Sequence, residues 1–308
     1  MYQYTLSLDG ESVGVRSETD LSPIFAKWNE LLHLTGIKVY IGGEHEFVVE
    51  YTNIPDNEVL YSEKRVHVTM PFDKLQTGEL LFYAALPFLE VLRQRKLVVT
   101  IHAAAVEFSG KAILLLGKAG AGKTTLILSL CRNHQARLIG NDIINMGMVD
   151  GNITACAGSK YFTLRQESIK RNIPDLLNLF APSKKDSWTH KVNCLPDKLG
   201  INISDGLAPI KWSYLVHVDE TMDKLYVTSA DVMNTRLYLN ENMSRYIRGT
   251  AIALFNEYSH FMGYVPSYDT LDFFTMRVKL AETLIADTRI MYISGNLHNI
   301  CQYIISEK

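Results

Sequence analysis

The feature that most constrains this chain is an unbroken apolar run, Ala112–Leu116, that ends in Gly-Lys-Ala-Gly-Ala-Gly-Lys-Thr at 117–124. An apolar run without alternation reads as a strand buried on both faces, and such strands belong to sheets covered by helices on either side. Glycines at 117, 120 and 122 let the backbone turn tightly and direct its N–H groups toward one point. A helix from Lys123 to about Arg132 aims its positive end at the same point. Lys123 adds a cation, and Thr124 adds a hydroxyl suited to a hard metal ion. The match to G-x-x-x-x-G-K-[ST] is complete, and the order strand, loop, helix is the one a Walker A phosphate loop requires. Gly117, Gly120, Ala121, Gly122, Lys123, Thr124 and Thr125 are therefore the expected contacts for ATP, with Mg²⁺ on Thr124.

Other classes that share this loop leave marks that are missing here. No Asn-Lys-x-Asp base-reading motif occurs, and no Leu-Ser-Gly-Gly transporter signature. No long apolar strand after the loop ends in Asp-Glu. Instead, Arg-Leu-Ile-Gly-Asn-Asp at 137–142 follows the loop, and His102 precedes it. Asp142 stands at the end of an expected core strand, the edge where α/β sheets place their sites. It is the candidate base for an acceptor hydroxyl, or a Mg²⁺ ligand through water. Arg165, Arg245 and Arg248 are candidate anion clamps, and the last two share a helix face by their spacing of three. For each arginine, a solvated helix face is the competing reading. Lys184, Lys185, Trp188, His190 and Lys191 read as an ordinary surface loop, with a substrate loop as the alternative. The remaining histidines show no metal-ligand spacing.

Taken together, His102, the strand Lys111–Leu116 with its loop, and Asn141-Asp142 resemble the HPr kinase/phosphorylase family. That family shares a core with ATP-dependent phosphoenolpyruvate carboxykinases. The resemblance covers about residues 97–149. It implies an ATP-dependent phosphotransferase acting on a serine-type hydroxyl, and a hydrogen bond from His102 that orients Asp142. The family's His-Gly is His102-Ala103 here, and the first acid of its acidic pair is Asn141. Its Glu-Ile-Arg-Gly-Leu-Gly stretch is absent. The resemblance thus implies a divergent kinase whose acceptor is a small molecule, a peptide or a small protein. Relatives of this kind often assemble, so a homo-oligomer is also an expectation. The competing functions are a nucleotide-sensing regulatory or assembly protein and a carboxykinase-like metabolite enzyme.

At 308 residues the chain is long enough for two domains. The expected division is an N-terminal α+β part, 1–95, that docks a substrate or partner, and an α/β, HPr kinase-like P-loop domain, 96–308. Alternation with Asp9-Gly10 predicts a hairpin over 3–16. Helices are expected over 22–33, 79–94 (bent or stopped near Pro87), 164–180, 229–258 and 269–286, with a loop over 181–197. A net charge of −2 gives no field for nucleic acid or an anionic membrane. Four scattered cysteines without a CxxC pair predict reduced thiols. The N-terminus lacks a secretion signal and no run is long enough for a membrane helix, which predicts a cytoplasmic protein.

Overall fold

The computed structural model describes residues 1–34, 36–183, 186–249 and 253–307. Lys184 and Lys185 of the expected surface loop lie outside the described residues. The chain is mixed α/β and forms two compact units. Met1–Thr100 with Glu241–Arg277 make one, and Ile101–Asn240 with Val278–Lys308 make the other. A single cut near residue 95 does not describe this division. Residues 241–277 go with the N-terminal segment because Ile247, Leu254, Met262 and Val265 bury their side chains in its core. Among the described residues, no helix is long and apolar enough to cross a membrane. The four cysteines are free thiols.

The first unit is built on a six-stranded sheet. Its strand order is Lys38–Ile41, Tyr2–Leu8, Glu11–Ser17, Val48–Thr52, Arg65–Thr69 and Glu58–Tyr61. The hairpin turns at Asp9-Gly10 as the alternation predicts. The expected helix over 22–33 is α-helical only at Ser22–Ala26 and continues as 3-10 turns. Helix Glu79–Arg95 covers the sheet and runs through Pro87 instead of stopping there. An internal proline costs a helix about 3 kcal/mol. Leu81, Phe88 and Leu89 are fully buried, and at roughly 1.5–3 kcal/mol each they outweigh it.

The second unit centres on three parallel strands, Lys111–Leu116, Ala208–Val218 and Ile290–Gly295. Ala104–Phe108 lies antiparallel to Lys111–Leu116, and Arg137–Gly140 lies antiparallel to Ala104–Phe108. This order has a functional consequence. Lys111–Leu116 and Arg137–Gly140 end at the same edge of the sheet, and Ala104–Phe108 begins there. The glycine-rich loop, residues 141–142 and His102 therefore emerge together. Helix Lys123–His134 buries Leu126, Ile127 and Leu130 in a core shared with Ile300 and Ile304 of helix Leu297–Ser306.

Two other expected helices are shorter than the sequence suggests. Residues 162–165 form a strand because Phe162 and Leu164 point inward while Thr163 and Arg165 point out. Only Gln166–Asn172 is α-helical after it. The expected loop over 181–197 contains the strand Lys191–Cys194, which pairs with Phe162–Arg165. The helix expected over 229–258 is Val232–Arg248. It ends at Gly249, whose φ is +64° and where an added Cβ would come within 2.2 Å of the Val265 carbonyl oxygen. Only glycine fits such a stop.

Candidate functional site

The loop leaving Leu116 folds over the end of the neighbouring strand, Ala208–Val218. The Val218 N–H donates to the Ala121 carbonyl at 3.0 Å. A Cβ at Gly117 would lie 3.0 Å from the Val216 oxygen, and one at Gly122 only 2.5 Å from the Val218 Cβ. Gly120 is different: an added Cβ there would meet nothing within 4 Å. Two glycines thus allow close packing below the loop, and the third leaves its outer face open. Helix Lys123–His134 begins at Gly122 without a side-chain cap. The N–H groups of its first turn face the cleft that residues 119–125 line. At the start of the loop, the Gly117 N–H donates to the Tyr238 hydroxyl at 3.0 Å.

Lys123 is 7% exposed. Its Nζ donates to the carbonyls of Gly117, at 2.8 Å, and Lys118, at 3.2 Å. Burial holds its ammonium below the usual lysine range, opposed by the charge of Asp142. The same charge, after burial, pushes the Tyr161 phenol up. Asp142 thus acts electrostatically on both sides of the cleft.

Thr124 donates its hydroxyl proton to Asn141 Oδ1 at 3.0 Å, and Asn141 Nδ2 donates to the Tyr161 carbonyl at 3.3 Å. Asn141 is buried and fixes Thr124, whereas the next residue, Asp142, points into the cleft. Asp142 has φ +77°, which for a residue with a side chain costs on the order of 1–3 kcal/mol. Ser159 holds this bend from both sides. Its carbonyl accepts from Asn141 N at 2.9 Å, its N–H donates to the Ile143 carbonyl at 3.0 Å, and its hydroxyl donates to the Asn141 carbonyl. Gly140 and Gly158 cross so closely that a Cβ on Gly140 would lie 2.7 Å from the Gly158 Cα.

His102 Nε2 lies 3.4 Å from Asp142 Oδ1. His102, Asp142, Lys123, Thr124, Thr125 and Arg165 all line one cleft of about 280 Å³. Arg245 and Arg248 do not. They belong to the other compact unit, where Arg248 meets Glu241 at 3.3 Å and Arg245 lies over the Tyr246 ring at 5.9 Å. Sequence reasoning missed Asn141 as the partner of Thr124, Ser159 as the clamp, and Tyr238 as the cap of Gly117. Asn141 could have been found, since it occupies an acid's place in the motif. Ser159 and Tyr238 carry no local signal.

A phosphate group suits this cleft on three counts. The loop backbone is approachable at Gly120, a helix presents uncapped N–H groups, and the buried Lys123 has no carboxylate within ion-pair distance among the described residues.

No protein-family model matches the chain, and no curated protein matches it. Among solved structures, the chain is similar to the Hpr(Ser) kinase/phosphatase from Coxiella burnetii, with 14% identity over 42% of this chain and 72% of that one, at a TM-score of 0.25. A likeness this weak does not bear on what the cleft does.

Proposed function

We propose that the chain is an ATP-dependent phosphotransferase acting on a hydroxyl acceptor. The observation that supports this most is the convergence of Lys123, Thr124, Asp142 and His102 on one cleft at the shared end of four core strands. The loop residues 117–125 would hold the nucleotide phosphates, with Lys123 as the compensating cation and Thr124 as a ligand to Mg²⁺. ATP would supply the phosphoryl group: the bond from the acceptor oxygen to phosphorus forms as the bond to the ADP oxygen breaks.

The chain's own work is then positioning and proton handling. Asp142 accepts the proton of the acceptor hydroxyl. The bend held by Ser159 keeps its carboxylate turned to the cleft. His102 acts as a positioning residue through its contact with Asp142. Asn141 orients the Thr124 hydroxyl so that its lone pairs, not its proton, face outward. Arg165 lines the same cleft as a candidate anion clamp.

Incubation with γ-labelled ATP, Mg²⁺ and a set of hydroxyl compounds and serine peptides tests this reading. Label should appear in an acceptor in a time-dependent way. Binding of MgATP with no transfer to any acceptor, and none to protein in a cell extract, would favour the nucleotide-sensing alternative.

A further inference from the structure

The wall of the cleft opposite the glycine-rich loop has a charge pattern that the nucleotide does not explain. Phe162–Arg165 and Lys191–Cys194 form a two-stranded antiparallel ribbon in which Arg165 and Lys191 are direct cross-strand partners. Phe162, Leu164 and Cys194 are buried in the core, so Thr163, Arg165, Lys191 and Asn193 share the outer face. Thr163, Arg165 and Lys191 line the cleft. Thr163 donates to Asn193 Oδ1 at 2.8 Å, which leaves the two cations side by side at the mouth.

Like charges directly opposite on a ribbon repel. Three arginines of the same unit are neutralised within the chain. Arg132 meets Asp175, Arg171 meets Glu167 at 2.7 Å, and Arg236 meets Glu282 at 2.6 Å. Arg165 and Lys191 have no carboxylate partner among the described residues. The ribbon is also anchored. Glu167 accepts from the Ser187 hydroxyl at 2.7 Å, and Arg171 lies over the Trp188 ring at 5.0 Å, setting Trp188 into the cleft lining beside Lys191. A repulsive pair held in place on a cleft wall is an arrangement that an incoming anion would relieve.

We infer that Arg165 and Lys191 form an anion subsite for the acceptor, so that the acceptor is a hydroxyl compound or residue carrying a carboxylate or phosphate close to its hydroxyl. This rests on the phosphotransferase reading. It adds the acceptor's charge, makes Lys191 a specificity-determining residue, and gives Trp188 a place beside the bound group.

The test uses three hydroxyl probes that differ in charge: glycerol, glycerate and glycerol 3-phosphate. Each is titrated into protein saturated with MgADP, which occupies the α- and β-phosphate positions of the loop. Tryptophan fluorescence is the readout, with Trp188→Phe identifying the reporter among the three tryptophans. Glycerate or glycerol 3-phosphate should change the fluorescence saturably, and glycerol should not. Which of the two binds tighter decides between carboxylate and phosphate. Lys191→Gln and Arg165→Gln should each weaken the anionic probe by about tenfold or more, and Lys191→Gln should leave MgADP and MgATP binding unchanged. Lys191→Arg should retain probe binding. Equal response to glycerol and the anions, or no effect of Lys191→Gln, would overturn the inference while leaving nucleotide binding intact. Loss of MgATP affinity in both Gln variants with probe binding preserved would also overturn it, by assigning the pair to the nucleotide. Failure of MgADP to bind the parent protein would overturn the phosphotransferase reading and this inference with it.

Discussion

Arg277 in one unit and Lys123 in the other are both buried cations, and the two are handled in opposite ways. Arg277 of the first unit is 1% exposed. Its guanidinium donates to Asp269 Oδ2 at 2.6 Å and to Gln94 Oε1 at 2.8 Å, and Gln94 in turn donates to Glu90 at 2.8 Å. The chain supplies both counter-charge and hydrogen bonds, as a structural ion pair must if it is to be tolerated in a core. Lys123 of the second unit is nearly as buried, but among the described residues its hydrogen bonds go to two backbone carbonyls. Carbonyl dipoles satisfy its donors without neutralising its charge. The two cations differ in how the chain meets them: Arg277 has a carboxylate at hydrogen-bond distance, although its Nε is left unbonded, whereas Lys123 has no carboxylate at ion-pair distance among the described residues, as a site for an external anion would require.

Breaking the Arg277 pair should have the largest effect. Arg277→Ala leaves the half-buried Asp269 without its partner and should lower unfolding free energy by about 3 kcal/mol, measured by denaturant titration. A loss near zero would show that the first unit's network is as open as the cleft. Next, Asp142→Asn keeps size and most hydrogen bonding but removes the base. Phosphoryl transfer should fall by ~10²-fold or more while MgATP affinity stays within roughly tenfold. If both survive, the strained bend at Asp142 serves structure alone. A smaller change, about tenfold in transfer, is expected for His102→Gln, with an altered pH–rate profile. A residue that merely packs would leave that profile in place.

The smallest effect lies in the first unit and depends on pH. Burial raises the Glu90 carboxyl above its ordinary range, opposed by Arg93 at 3.8 Å. Below the ordinary carboxyl pKa both folded and unfolded states are protonated, and Glu90 contributes no pH dependence. As pH rises, the unfolded chain ionises first, so the folded state loses stability until its own raised pKa is passed. Glu90→Gln should therefore stabilise the protein at neutral pH, and that gain should vanish below about pH 4. A gain that persists at low pH would point to packing and not to charge.

The parts of this arrangement that were legible in the sequence are those whose cause is local. Ala112–Leu116 and the glycines of 117–122 announce a buried strand and a tight turn by their own composition. Asp142 follows from its place at the end of Arg137–Gly140. The helix stop at Gly249 was missed, because the expected helix ran on to 258 and covered the strand Ala253–Phe255. What the sequence hides is set by pairing across distance. Arg165 and Lys191 become neighbours only because two short strands meet across a long connection, and neither strand is strong enough to stand out alone. Residues 241–277 join the first unit through core contacts that no linker composition marks. Ser159 and Tyr238 act on the loop and the bend from remote positions.

The contrast between Arg277 and Lys123 can be tested at Lys123 itself. Equilibrium titration with MgATP, followed by calorimetry and by thermal unfolding with and without nucleotide, is done on the parent and on Lys123→Ala. Removing an uncompensated buried charge should leave the stability of the nucleotide-free protein within about 1 kcal/mol of the parent, or raise it. MgATP should stabilise the parent in proportion to its binding, and the variant should bind it about 100-fold more weakly or not at all. Equal MgATP affinity in the two proteins, or a variant that unfolds as Arg277→Ala is expected to, would contradict the account.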